Sequence, residues 1–211
     1  MHQLTRSPAP ACLASFRHGA NNWSDVTTPQ KQEVWQCLNV MQGARCAYCE
    51  AAITKGDRHI EHFVQKGRDP TRTFTWSNLF GSCNREDSCG KHKDGKGRPY
   101  ADSDLIKPDA EDPEQLLVFD AHGSVQPRHG LDPVPAQRAM ETIRVFNLNG
   151  VLKAIRRPEL AGYVQTGEEI AEFFLIDPIL GRQFLDEEVA ATANLPFATA
   201  IKHVLTNQSA R

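Results

Sequence analysis

Four of the six cysteines fall in two close pairs, Cys46-Ala-Tyr-Cys49 and Cys83 with Cys89. Thiolates bind zinc tightly, and a C-x2-C turn presents two of them from one knuckle, so the two pairs read as a single tetrahedral structural zinc site. Five residues separate Cys83 from Cys89, more than is usual, but the spacer Asn-Arg-Glu-Asp-Ser is polar and free to loop out. A redox role does not suit Cys46, because no strand–helix pattern of the thioredoxin type surrounds it. Between and beyond the pairs lie His59, Glu61, His62, Asn78 and His92. A neutral imidazole can take a proton from water near pH 7, and a divalent cation can neutralise charge building on a phosphate. One short segment therefore carries a structural metal and a reactive centre. Cys12 and Cys37 stand outside the pattern and read as buried small apolar residues.

Several elements must hold these groups. Thr28-Pro29 looks like an N-cap followed by proline at the first helical position. Val34, Leu38 and Met41 then recur at helical spacing, and Gly43 is a stop, so a helix delivers the chain into Cys46. Residues 44–98 have few aliphatics, a deficit that a metal cross-link offsets in small modules. On a strand His59 and Glu61 share a face; His59 there either assists a metal or is an exposed residue at the strand start. The acidic stretch 101–114 reads as a linker or surface loop. Leu116–Phe119, a turn at Gly123 and Val125-Gln126 suggest a hairpin. From Pro135 the pattern is helical: Ala139, Ile143 and Phe146 share a face, and Thr166-x-x-Glu169 is a capping-box signature ahead of Ile170. Further amphipathic stretches cover 180–191 and 196–206. The organisation expected is an arm and helix (1–43), a zinc-stabilised core (44–100), an acidic linker with a hairpin (101–134) and a helical region (135–211).

At 211 residues, 40% hydrophobic and 24% charged, the chain has the composition of an ordinary soluble protein with a real core. No apolar run suits a signal segment or a membrane span, so the cytosol is the expected compartment. Paired cysteines in a reducing compartment point to metal rather than disulfides. The formal charge is −2, but residues 44–98 hold 11 Lys/Arg against 7 Asp/Glu. That local excess suits a polyanionic partner such as nucleic acid.

The acidic residue beside His62, the distal Asn78-Leu79 and the histidine after the second knuckle resemble the HNH nuclease family. The resemblance implies an α+β fold with a ββα-metal core, here embedded in a mainly helical protein, and phosphodiester cleavage. It makes His62 the general base, Asn78 the residue that orients the site, and Glu61 a ligand of a catalytic Mg²⁺ or Mn²⁺. His92 takes the place of the last histidine and metal ligand. In its other reading it binds the zinc, with Asn84 or Asp94 nearer the chemistry. Cys46-Ala-Tyr-Cys-Glu50, His59-Ile-Glu-His-Phe63, Trp76-Ser-Asn-Leu-Phe80 and Cys89-Gly-x-x-Lys-Asp94 are further similar to the PtuB-like branch, from Septu-type anti-phage systems and some retrons. That likeness implies an SMC/ABC-like ATPase partner and a nucleic-acid substrate, DNA before RNA. Lys93 and Asp94 enter as the end of the Gly-x-x-Lys-Asp motif, as a phosphate contact and as support of the metal shell. A zinc-ribbon binding module without catalysis is the reading from a different class.

Overall fold

The structure is a computed structural model that describes residues 1–95 and 99–208. Lys96 and Arg98, counted above in the basic segment, lie outside it, as do the last three residues of the expected helical region. The fold is mixed α+β, with two small antiparallel sheets and a majority of helix.

The N-terminal arm is mostly irregular, with two short 3-10 turns, and buries Met1, Leu4 and Leu13. Helix α1 spans Thr28–Gln42. Its cap is Thr27, one residue before the expected Thr28. Thr27 and Gln30 form a capping box, which leaves Pro29 within the first turn, where no hydrogen bond is lost. Gly43, at φ 60°, ends the helix in the left-handed region. Val34, Leu38 and Met41 form its buried face, as their spacing requires.

Strands β1 (Arg58–His62) and β2 (Leu79–Cys83) pair antiparallel, with Arg58 opposite Cys83 and His62 opposite Leu79. A short helix, α2 (Cys89–Asp94), follows. The hairpin expected near Gly123 is present as β3 (Leu117–Phe119) and β4 (Val125–Pro127). Gly123 has φ 80°, and a Cβ there would lie 2.6 Å from the Lys153 carbonyl, so only glycine fits the turn. The acidic stretch before it is anchored: Leu105 and Ile106 are buried, and Ile106 N–H donates to Thr142 Oγ1 at 2.8 Å.

Helices α3 (Pro133–Val145), α4 (Val151–Ile176), α5 (Pro178–Thr192) and α6 (Ala198–Gln208) make up the rest of the described chain's regular structure. The expected capping box at Thr166 is not a helix start, because α4 runs straight through it. Thr166 Oγ1 donates to the Gly162 carbonyl at 3.2 Å, the way a hydroxyl is accommodated inside a helix. The buried apolar residues, Val26 apart, form one cluster from Met1 to Leu205, which includes the four paired cysteines.

Candidate metal centre and active site

Cys46 and Cys49 sit on a tight turn directly after α1. Cys46 N–H donates to Ala51 O at 2.9 Å and Glu50 N–H returns to Cys46 O at 3.0 Å, with Glu50 at φ 63°. Ala47 N–H donates to Gly81 O at 3.0 Å, which fastens the knuckle to β2. Gln42 reinforces this joint. Its Nε2 donates to Arg45 O and Gly81 O at 2.7 and 2.9 Å, and its Oε1 accepts from Gly81 N–H at 2.8 Å. Cys83 ends β2 and Cys89 opens α2 with φ 55°, a strained value for a non-glycine residue. Cys89 N–H donates to Phe146 O at 2.8 Å, which fixes it.

The four Sγ atoms lie within 4.8 Å of one another, and all four residues are buried. Four sulfurs about 2.3 Å from a zinc ion stand about 3.8 Å apart, so the arrangement fits a tetrahedral metal such as zinc. Burial opposes a charge on Cys46, but the neighbouring Cys49, Cys83 and Cys89 thiols donate to it and bring it well below the usual thiol range. Cys49, as the donor to Cys46, is pushed well above that range, and burial pushes Cys89 up likewise. A bound cation is what lets all four ionise together. Cys12 and Cys37 are half-buried rather than buried.

His62 closes β1 and is itself buried. Its Nε2 lies 3.0 Å from the Thr73 carbonyl. A carbonyl only accepts, so Nε2 carries the proton and Nδ1 the lone pair. Burial, with the charge of Lys66 adding to it, pulls the imidazole down to a pKa of about 4, against a weaker opposing pull from the Thr73 bond. The ring is therefore neutral at pH 7, as a base must be. Trp23, from the N-terminal arm, packs edge-on against it at 4.6 Å.

Asn78 does what its residue type permits between a strand and a loop. Its Oδ1 accepts from Val64 N–H at 2.8 Å, and its Nδ2 donates to Val64 O and Arg72 O at 3.0 and 3.2 Å. The loop after His62 is thus pinned at both ends, and with it the Thr73 carbonyl that orients the imidazole. Exposed Lys66, Arg68 and Arg72 lie on this loop.

Glu61 and His59 share a face of β1 as alternation requires, with His59 Nε2 3.2 Å from Glu61 Oε2. They line an open cleft of about 430 Å³ with His62, Lys66, Lys91 and Asp94. The other Glu61 oxygen pairs with Lys93 Nζ at 2.8 Å, both side chains being buried. Burial disfavours the ammonium, yet Glu61 and Asp94 more than offset this and hold its pKa above the ordinary lysine range. Gly90 is required here, because a Cβ would run into the Glu61 carboxylate.

His92 is not brought to this cleft. Its Nδ1 lies 2.9 Å from the Val145 carbonyl, at the end of α3. Helix α2 turns Gly90, Lys93 and Asp94 toward Glu61, and the left-handed start at Cys89 sets that rotation. The four thiols come together without His92. Asp94, two residues further on, does line the cleft. Sequence reasoning missed Trp23, which comes from the N-terminal arm with no motif around it. No helix among the described residues is long and apolar enough to cross a membrane. No family model and no curated protein matches the chain.

Proposed function

We propose that the chain is an endonuclease of the HNH type, hydrolysing phosphodiester bonds of nucleic acid around a ββα core formed by β1, β2 and α2. The observation that carries this reading is His62: a neutral imidazole at a strand end, its Nε2–H spent on the Thr73 carbonyl and its Nδ1 left as acceptor. In the proposed step a water gives its proton to Nδ1 while its oxygen attacks phosphorus, and the bond to the leaving sugar oxygen breaks, that oxygen keeping the electron pair and taking a proton from solvent. Asn78 keeps the orienting loop in place. Lys66, Arg68 and Arg72 offer the phosphate backbone positive charge from that same loop. DNA is the proposed substrate and RNA the alternative, because attack by external water needs no 2′-hydroxyl.

The thiol centre supplies zinc-dependent folding in this scheme. A catalytic Mg²⁺ or Mn²⁺ at Glu61, with His59 beside it, does not fit the arrangement as it stands, since an ammonium already holds that carboxylate. Work beside an SMC/ABC-like ATPase in anti-phage defence rests on the sequence resemblance alone. The burial of His62 under Trp23 favours a second reading, a zinc-stabilised binding module in which His62 does no chemistry.

The test is cleavage of plasmid DNA and of RNA by zinc-replete protein, with Mg²⁺ or Mn²⁺ and the ATPase, beside His62→Ala. Loss of cleavage in the variant supports the enzyme. Equal cleavage by both proteins, or none under any condition, rules it out.

A further inference from the structure

Four oxygens converge on one point beside Glu61. Lys93 Nζ occupies that point, 2.8 Å from Glu61 Oε1, 2.5 Å from Asp94 Oδ1, 3.1 Å from the His62 carbonyl and 3.5 Å from the Tyr100 hydroxyl. Carboxylate, carbonyl and hydroxyl oxygens are the donor set a hard divalent cation takes. Here an ammonium tethered to α2 takes it instead. The Lys93 side chain is 0% exposed and that of Glu61 3%, so solvent screens neither charge. The remaining Glu61 oxygen is engaged by His59, and the Gly90 backbone closes against the carboxylate. Glu61 Oε1 makes no hydrogen bond among the described residues, so Lys93 Nζ faces it as a buried ion pair.

We infer that Lys93 is the resident cation of this cleft and competes for a single seat with any divalent ion that Glu61 would hold. The inference rests on the reading of the cleft as a hydrolase centre, but it concerns binding rather than turnover. Loading a divalent ion requires Glu61 to release a buried ammonium, so the wild-type protein binds such an ion weakly. The identity of residue 93 sets that weakness.

Mn²⁺ binding to zinc-replete protein without nucleic acid, followed by electron paramagnetic resonance, tests this. Lys93→Gln and Lys93→Met are expected to bind Mn²⁺ at least tenfold more tightly than wild type. Lys93→Arg should stay as weak as wild type, and adding Glu61→Gln to Lys93→Gln should abolish the gain. Neutral variants that bind no better than wild type overturn the inference. Should they fail to fold, the wild type decides through the ¹⁵N signal of its Lys93 ammonium. Loss of that slowly exchanging signal as Mg²⁺ binds, or an intact signal with no Mg²⁺ bound, agrees with one shared seat. An intact signal with Mg²⁺ bound and the Glu61 carboxylate resonance shifted overturns it. Absence of cleavage in the assay of the preceding section would remove the hydrolase reading and leave this binding result standing.

Discussion

Asn78 offers the sharpest test of how the site is built, because its contributions separate by atom. Replacement by alanine removes three hydrogen bonds and leaves the buried Val64 N–H without its acceptor. At about 1 kcal/mol for each of the two bonds that Nδ2 donates and about 1–3 kcal/mol for the orphaned amide, Asn78→Ala should cost on the order of 3–5 kcal/mol. Asn78→Asp keeps the acceptor for Val64 N–H but turns a second oxygen toward the Val64 and Arg72 carbonyls. That oxygen is tolerated only when protonated, which raises the folded-state pKa of the new carboxyl above its unfolded value of about 3.9. A group raised in this way lends stability that is present below the unfolded pKa and lost as pH rises through the folded one. The deficit of Asn78→Asp relative to wild type should therefore approach that of Asn78→Ala at pH 7.5 and shrink toward pH 5. The deficit of Asn78→Ala should stay flat. Urea unfolding at both pH values, each variant beside wild type, reads these differences, and amide exchange at Val64 localises them. An alanine variant within 1 kcal/mol of wild type would refute the pinning role. So would an aspartate deficit that does not shrink in acid.

His62 has a depressed folded-state pKa, so its contribution is present above the unfolded value and is lost as pH falls toward about 4. Relative to His62→Asn, wild type should lose about 2 kcal/mol of stability between pH 7 and pH 5, measured by denaturant titration. Cys49→Ser should lose zinc and solubility together, because closing such a centre supplies on the order of 10 kcal/mol of folding energy. A folded Cys49→Ser protein with full zinc content by elemental analysis would contradict the structural role. Gly90→Ala should cost about 1–3 kcal/mol, since its methyl must push the Glu61 carboxylate off Lys93. Thermal unfolding checks this.

The thiol centre was legible because its information is local. Two pairs of cysteines, a helix ending at Gly43 and a polar spacer are all visible in short windows. The same holds for the pairing of His59 with Glu61, which strand alternation dictates, and for the Gly123 hairpin. What escaped was rotation and distance. His92 and Lys93 are adjacent in sequence but face different ways from a six-residue helix. The left-handed Cys89 and its bond to Phe146, more than fifty residues on, decide which of them meets Glu61. Trp23 reaches His62 from the arm, across 39 positions that no periodicity links. Thr166 carried a cap signature, yet the burial of Leu160, Gly167 and Ile170 along one face of α4 continues the helix through it.

In the proposed reaction His62 is a neutral base whose proton sits on Nε2 and whose lone pair sits on Nδ1. ¹⁵N NMR of the zinc-replete protein, with histidine ring nitrogens labelled and His62→Ala used for assignment, measures this directly. The predicted result is a protonated Nε2 and an unprotonated Nδ1, unchanged between pH 7.5 and pH 5.5. An imidazolium at pH 5.5, or a neutral ring protonated on Nδ1, would contradict it.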